Sequence, residues 1–421
     1  MLENNHVYDI ILNMDNHFLT YTVYFICVLL VLWGISVKRG GQIHTDYLSL
    51  DAMKSIRGFA AIGVILHHIS QEAAFRSAGE LKFFVDHGYQ YVAVFFFCSG
   101  YGLLKNLDTR PGYMDGFLKK RLPVILVPYY TSIILYGIYN VIVGTHLEPL
   151  QWVTNIIGIS MMNEYAWYPV VLVILYIAFY LIFRREGSRT RKSVYMLILV
   201  LAMGVLFCVA GHFPWWAGDR ENWWMDPNSI ENTQWWMRGK VWLFCGEWWI
   251  NSPIAFLVGM IYETYEDKFT GFFSKNYITK FSVLAVLTLA SHTLTYYVLD
   301  TVGYYTEAAG NGPGIGDKFL CYFSQLPHVI LYGLCIYVLT MKVRSVNPVS
   351  RFFGKYSLDT YMMNLMAILI FRPLFLTDQE RVVDNAVAGR WLFLICVFAV
   401  TVILGVFYHK INEVIRKALR L

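Results

Sequence analysis

The sequence predicts an all-α protein, a polytopic bundle of transmembrane helices with about eleven spans, and three observations carry that expectation. The chain of 421 residues is 57% apolar and only 15% charged, outside the usual range of a soluble globular domain. Its apolar residues gather in runs near the length of about 20 residues that a helix needs to cross the hydrocarbon layer. Lys and Arg alternate across these runs in phase to the end of the chain.

The runs fall at residues 18–36, 55–70, 89–104, 122–143, 166–183, 193–211, 241–262, 278–299, 319–341, 356–375 and 391–409. Upstream of the first stand Glu3, Asp9 and Asp15 with no Lys or Arg, and Lys38 and Arg39 follow it without a small-residue cleavage site. That flanking reads as a stop-transfer helix rather than a signal peptide. The second and third runs are short and polar-tipped, so the charge pattern tests them better than hydropathy does. With the N-terminus outside and the C-terminus cytoplasmic, 25 of the 34 Lys and Arg fall inside and 19 of the 29 Asp and Glu fall outside. A missed or false helix would break that alternation. The clusters Lys119-Lys120-Arg121, Arg184-Arg185, Arg189 to Lys192 and Arg416-Lys417 are thus read as cytoplasmic, and topology is the simplest account of any one of them.

The seven cysteines (27, 98, 208, 245, 321, 335 and 396) lie in or beside apolar runs without Cys-x-x-Cys pairing or metal spacing. They read as packing residues, and no metal site is expected. No glycine-rich phosphate loop, repeat, low-complexity tract or appended soluble domain is visible, and nothing points to a nucleic-acid partner. The expected partner is the lipid bilayer.

Within the second run, Arg57 and His68 are eleven residues apart. At about 100° per residue that is about three turns, so both lie on one helix face roughly 16 Å apart along the axis. His67 points about 100° from that line. Ionisable groups at membrane depth are costly and usually functional, although a lone membrane histidine also serves as a bond between helices. Glu247, His292, His328 and Asp359 are further such groups, each an interhelical partner or a pathway group.

This Arg, ten-residue, His arrangement, preceded by Ser-Leu-Asp-Ala-Met-Lys54, resembles the signature of the acyltransferase-3 family of integral membrane O-acyltransferases. The segment Val94-Phe-Phe-Phe-Cys-Ser-Gly-Tyr-Gly-Leu-Leu104 resembles the family's Ser-Gly-aromatic motif. Lys119-Lys-Arg-Leu-Pro-Val-Ile-Leu-Val-Pro128 is similar to the basic run that opens its next helix. Ala166-Trp-Tyr-Pro169, Phe256-Leu-Val-Gly-Met260 and Phe353-Gly-Lys-Tyr-Ser-Leu-Asp-Thr-Tyr361 fall where the family has comparable helix ends. The resemblance covers about residues 47 to 410 and ten helices. Residues 1–46 then form a tail with one extra helix, and 47–421 form the acyltransferase domain. One departure stands out: where the family commonly carries a histidine about one turn beyond a tyrosine, Tyr361-Met-Met-Asn364 places an asparagine, which positions but does not titrate.

The resemblance implies transfer of an acyl group, acetyl from acetyl-CoA being the expected case, to a hydroxyl of a cell-surface or secreted carbohydrate at the cell membrane. Acyl-CoA is then a donor substrate, and no cofactor is tightly bound. Such chemistry needs a base and oxyanion donors. His68 is the expected base, with Arg57 orienting donor or base. Phosphates favour Arg forks and Lys point charges, so Arg57, Lys54, Lys119, Lys120 and Arg121 are the expected nucleotide ligands at the cytosolic mouth. Ser99 and Tyr101 are candidates near the thioester, though small residues in membrane helices also permit close packing. Nine of the 13 tryptophans (215, 216, 223, 224, 235, 236, 242, 248 and 249) lie between residues 212 and 249. They suit either sugar stacking, with Asp219, Glu221, Asp226 and Glu231 as hydroxyl partners, or an interfacial aromatic belt. The competing reading is a transporter or exporter of a small acyl-bearing or carboxylate metabolite whose path His68 and Arg57 line. Against it stands the lack of inverted repeats or paired broken helices in the sequence.

Overall fold

A backbone that leaves water must satisfy its own N–H and C=O groups, which favours helices throughout. The computed structural model describes residues 3–147, 149–159, 161–210, 248–305, 314–375 and 386–421. Among them every regular element is helical except one two-stranded ribbon. In chain order the elements are α1 (Glu3–Leu32), β1 (Ile35–Val37), α2 (Leu50–Ser70), α3 (Ala73–Ser77), α4 (Lys82–Thr109), α5 (Phe117–Arg121), α6 (Pro123–Val143) and α7 (Pro149–Ile156). There follow α8 (Trp167–Phe183), α9 (Arg189–Ala210), α10 (Trp248–Asn251), α11 (Ile254–Thr264), α12 (Glu266–Ser274), α13 (Tyr277–Val302) and α14 (Ile315–Thr340). The chain ends with β2 (Val343–Ser345), α15 (Pro348–Lys355), α16 (Ser357–Phe375) and α17 (Ala386–Ala418).

Among the described residues seven helices are long and apolar enough to cross a membrane: α6, α8, α9, α13, α14, α16 and α17. Four of the eleven expected runs are not in that set. The apolar part of α1 is short. Helices α2 and α4 have the length, 21 and 28 residues, but Lys54, Arg57, His67 and His68 in one, and Gln90 and Ser99 in the other, dilute their apolar character. The run 241–262 begins outside the described residues, as do Glu247, Cys245 and the tryptophans up to Trp242 with their acidic neighbours. Of that cluster, Trp248 opens α10 and Trp249 is buried, its ring stacked on Phe207 at 5.3 Å.

The chain divides into two compact units. One comprises Met1–Lys38, His44–Tyr91 and Lys342–Glu413, the other Arg39–Ile43, Val92–Met341 and Val414–Leu421.

In the first unit α2 is fixed at both ends and along its length. Ser49 caps it by accepting from the Ala52 N–H at 3.3 Å, and Asp51 sits in its first turn where the helix dipole favours an anion. Helix α15 lies against it with almost no side chain between: a Cβ on Gly58 would overlap the Ser350 carbonyl, and one on Gly354 would overlap the Lys54 carbonyl. Small residues allow that approach. Ser55 Oγ donates in the same interface, to the Ser350 hydroxyl at 2.6 Å or the Ser345 carbonyl at 2.8 Å. Asn347 and Ser350 form a capping box that starts α15, and the antiparallel ribbon pairs Ile35 with Ser345 and Val37 with Val343. Glu72 holds Arg372 through two hydrogen bonds of 2.8 and 3.0 Å. Glu80 and Arg390 form an ion pair at 2.7 Å with side chains 0% and 8% exposed.

In the second unit the phenylalanine-rich stretch of α4 is core. Phe97 stacks on Tyr337 at 3.7 Å, and Phe96 meets Tyr168 edge to face at 4.9 Å. Gly100 faces the Phe256 carbonyl and Gly259 the Phe97 carbonyl, each where a Cβ would overlap. Helices α13 and α14 run antiparallel, since the pairings Thr288–Leu331, Ser291–His328 and Thr295–Ser324 step in opposite directions.

Candidate functional site

Eleven residues of helix put Arg57 and His68 on one face of α2, and the helix is continuous between them. His68 is buried, 5% exposed, and its Nδ1 lies 2.8 Å from Oδ1 of Asn364 on α16. Asn364 Nδ2 donates in turn to Thr401 Oγ1 of α17 at 3.0 Å. With the amide oxygen turned toward His68, Nδ1 carries the imidazole proton and Nε2 carries the lone pair. That tautomer is the one a general base needs if it acts through Nε2. Tyr361, one turn before Asn364, places its ring 6.0 Å from that of His68. All four residues belong to the first unit.

His67 has a different setting. Its Nδ1 donates to the Phe84 carbonyl at 2.8 Å, and its ring fills the space that a Cβ on Gly88 would need. It ties the end of α2 to the start of α4.

Arg57 is half-buried, and its Nε is buried without a hydrogen-bond partner among the described residues. A buried guanidinium nitrogen left unsatisfied is costly unless something anionic meets it. Lys54, one turn earlier, is half-buried with its carbonyl under Gly354. The structure thus brings His68 and Asn364 together and sets Arg57 and Lys54 further along the same helix.

The remaining sequence candidates lie in the second unit. Ser99 is half-buried beside Gly100, at the close approach of α4 to α11. Tyr101 is 5% exposed and its hydroxyl donates to Glu266 Oε2 at 2.8 Å, the same oxygen that Lys105 meets at 2.9 Å. Tyr101 thus takes part in a charge cluster with Glu266 and Lys105. Lys119 and Lys120 are exposed and Arg121 is half-buried. His292 and His328 meet at 3.4 Å, with Ser291 3.3 Å from His328; Asp359, the exception that lies in the first unit, pairs with His409 there at 2.8 Å. These contacts fit the interhelical alternative.

Sequence reasoning missed Thr401, a single hydroxyl in an apolar run, and the acidic side of the cluster around Tyr101. There Arg189 forks onto both carboxylate oxygens of Asp108, one at 2.7 Å, and reaches Glu263 at 3.3 Å. Burial, joined by the Asp108 charge and opposed by Arg189, pushes the Glu263 carboxyl up to about 7 from its ordinary 4.5. Glu263 stands just past the seventh apolar run. A folded value above the unfolded one means that the stabilisation is complete below about pH 4.5 and is lost as pH rises through about 7. Glu263→Gln keeps the neutral form at every pH. Between pH 6 and 8 the melting temperature of the purified wild type should therefore fall relative to that of the variant, and parallel pH profiles would refute the assignment.

Compared with known families, residues 47–410 match a family model, Acyl_transf_3, described as an acyltransferase domain. No curated protein and no solved structure matches the chain.

Proposed function

The chain belongs to that acyltransferase-3 family of membrane acyltransferases, and on this premise we propose that it is an O-acyltransferase moving acetyl from acetyl-CoA to a hydroxyl of a cell-surface or secreted carbohydrate. The observation that carries the reading is the arrangement on α2: a buried imidazole whose Nδ1 meets an amide oxygen, and, on the same face, a guanidinium with a buried unpaired nitrogen. His68 Nε2 takes the proton of the acceptor hydroxyl as its oxygen attacks the thioester carbonyl. The C–S bond breaks, CoA leaves as the thiol, and the proton follows to sulfur. Asn364 acts as a positioning residue that holds the tautomer. Arg57, with Lys54 beside it, binds anionic donor groups in a fork geometry that lysine does not reproduce.

The membrane arrangement that goes with this reading has eleven spans, the N-terminus outside and the C-terminus in the cytoplasm, in the cell membrane. The first helix is an addition to the family domain, and the cytosolic end of α2 carries Arg57.

The test is transfer of radiolabelled acetyl from acetyl-CoA to surface glycan in membranes containing wild type, Arg57→Ala and Arg57→Lys at equal protein. Arg57→Ala should lower kcat/KM for acetyl-CoA by at least about tenfold, the scale of one lost charge-assisted hydrogen bond, and Arg57→Lys should recover only part. Wild-type rates in Arg57→Ala would remove the residue from the donor site. Wild-type membranes that neither bind CoA nor label glycan would favour the transporter reading.

A further inference from the structure

Three helix ends of the second unit meet around one guanidinium. Arg189, which opens α9, forks onto both carboxylate oxygens of Asp108 near the end of α4 and reaches Glu263 Oε2, near the end of α11, at 3.3 Å. Lys105, about one turn before Asp108, meets Glu266 Oε2 of α12 at 2.9 Å, and Tyr101, one turn earlier again, donates to the same oxygen at 2.8 Å. Glu263 is the sealed member, its side chain 5% exposed against 33% for Arg189 and 36% for Asp108. Of the other charged or titratable groups nearby, Arg191, Asp267 and Lys268 are exposed, Lys192 turns to the Phe183 carbonyl, and α14 presents Tyr337, stacked on Phe97. Among the described residues two cations, Lys105 and Arg189, thus face three carboxylates, Asp108, Glu263 and Glu266.

The charges balance in one protonation state only. A protonated Glu263 donates to Asp108 and leaves two cations against two carboxylates. An ionised Glu263 adds a buried negative charge that competes for a guanidinium whose two terminal nitrogens Asp108 already engages. Burial first, and the Asp108 charge second, push the Glu263 carboxyl up to about 7, so the change falls near neutral pH. Directly beneath the cluster, α4 and α11 touch backbone to backbone. Gly259, one turn before Glu263, sits against the Phe97 carbonyl and the Tyr101 N–H, and Gly100 sits against the Phe256 carbonyl. Such a contact has no side chain to give way, so it is shut or open rather than graded. Tyr101 belongs to both layers, its N–H in the backbone contact and its hydroxyl in the charge cluster.

We propose that Glu263 is a proton sensor for this helix junction: with its proton it clasps the ends of α4, α9 and α11 together, and without it the end of α4 beyond Tyr101 opens. In the membrane arrangement proposed above the junction faces the cytoplasm, so the signal it reads is cytosolic pH. The device works alike in an enzyme and in a carrier. Because the folded value exceeds the ordinary 4.5, the clasp holds below neutrality and weakens as pH climbs through about 7.

The test is hydrogen–deuterium exchange of the purified full-length protein in phosphatidylcholine nanodiscs, at a series of pH values from 5.5 to 8.5, with exposure times scaled to the intrinsic exchange rate. One proton held with a value of about 7 when closed and 4.5 when open makes opening about tenfold easier at pH 8 than at pH 6. Protection of residues 102–109 should therefore fall about tenfold over that interval. Protection across α6, which holds no carboxylate, imidazole or amine, should stay level. Glu263→Gln, neutral throughout, should keep the protection seen at pH 6 across the series. Asp108→Asn gives an independent reading, because Asp108 is partly exposed and its loss leaves Arg189 to Glu263 alone. The midpoint of its transition should move to lower pH. Level protection of residues 102–109 in wild type overturns the sensor. So does a fall of the same size in Glu263→Gln, which would assign the transition to another group. A wild-type midpoint retained in Asp108→Asn overturns it as well.

Discussion

His68→Ala should reduce acetyl transfer by about 10²–10⁴-fold, the range of a positioned general base, with the amount of folded protein unchanged. The imidazole is buried, but its contact with Asn364 is one hydrogen bond of 2.8 Å, so removing it opens a small space without stranding a charge. Asn364→Ala should cost less, about 10–100-fold, and chiefly in kcat, because it frees the tautomer and ring angle while leaving the base in place. Thr401→Val should cost less again, since Thr401 meets Asn364 and not the imidazole bond itself. His67→Ala separates chemistry from architecture. Its ring bonds to Phe84 and packs over Gly88, so the variant should melt at a lower temperature and keep near-normal turnover per folded molecule. The readout is labelled acetyl on glycan, normalised to protein that elutes as a single species in detergent. Normal turnover in His68→Ala would end its assignment as base, and a loss in His67→Ala equal to that in His68→Ala would leave the one-face argument without support.

The gradient in those effects follows what could be read from the chain. The helix α2 and the shared face of Arg57 and His68 were legible because helical periodicity is local: eleven residues fix a common face whatever surrounds it. Asn364 stood out because it replaces the titratable residue expected after Tyr361, yet its partnership with His68 spans 296 positions and has no local signal. Thr401 had none at all, being one hydroxyl in an apolar run. The approach of α15 to α2 depends on Gly58 and Gly354, and a glycine in an apolar helix reads the same whether a backbone or a lipid chain lies over it. Basic residues, the exposed Lys119 and Lys120 among them, were visible as topology. It did not separate Arg189, which holds Asp108 and Glu263, from Arg121, which lies over an aromatic ring. Charge sign is written in the sequence, whereas pairing is decided by the fold.

Pairing has its largest expected energetic consequence at Glu80 and Arg390. Both side chains are buried and 2.7 Å apart, and breaking a buried pair by removing one member typically costs about 3–5 kcal/mol because the other charge stays uncompensated. The two halves should not behave alike. Burial already pushes the Glu80 carboxyl above its ordinary value against the opposing pull of Arg390, so in Arg390→Met the acid can escape the penalty by taking a proton. Arginine has no such route. Glu80→Leu should therefore lose about 3–5 kcal/mol at any pH between 5.5 and 8. Arg390→Met should lose less at pH 5.5 and more at pH 8, because a group with a raised folded value gives up stability as pH climbs through it. Glu80→Leu with Arg390→Met together should recover most of the loss, since an apolar pair of similar volume replaces an ion pair at little cost. Thermal unfolding of the four proteins in one detergent, at both pH values, decides it. Additive losses in the double variant would show that the two charges do not act as a pair, and a flat pH response in Arg390→Met would show that Glu80 stays ionised without its partner.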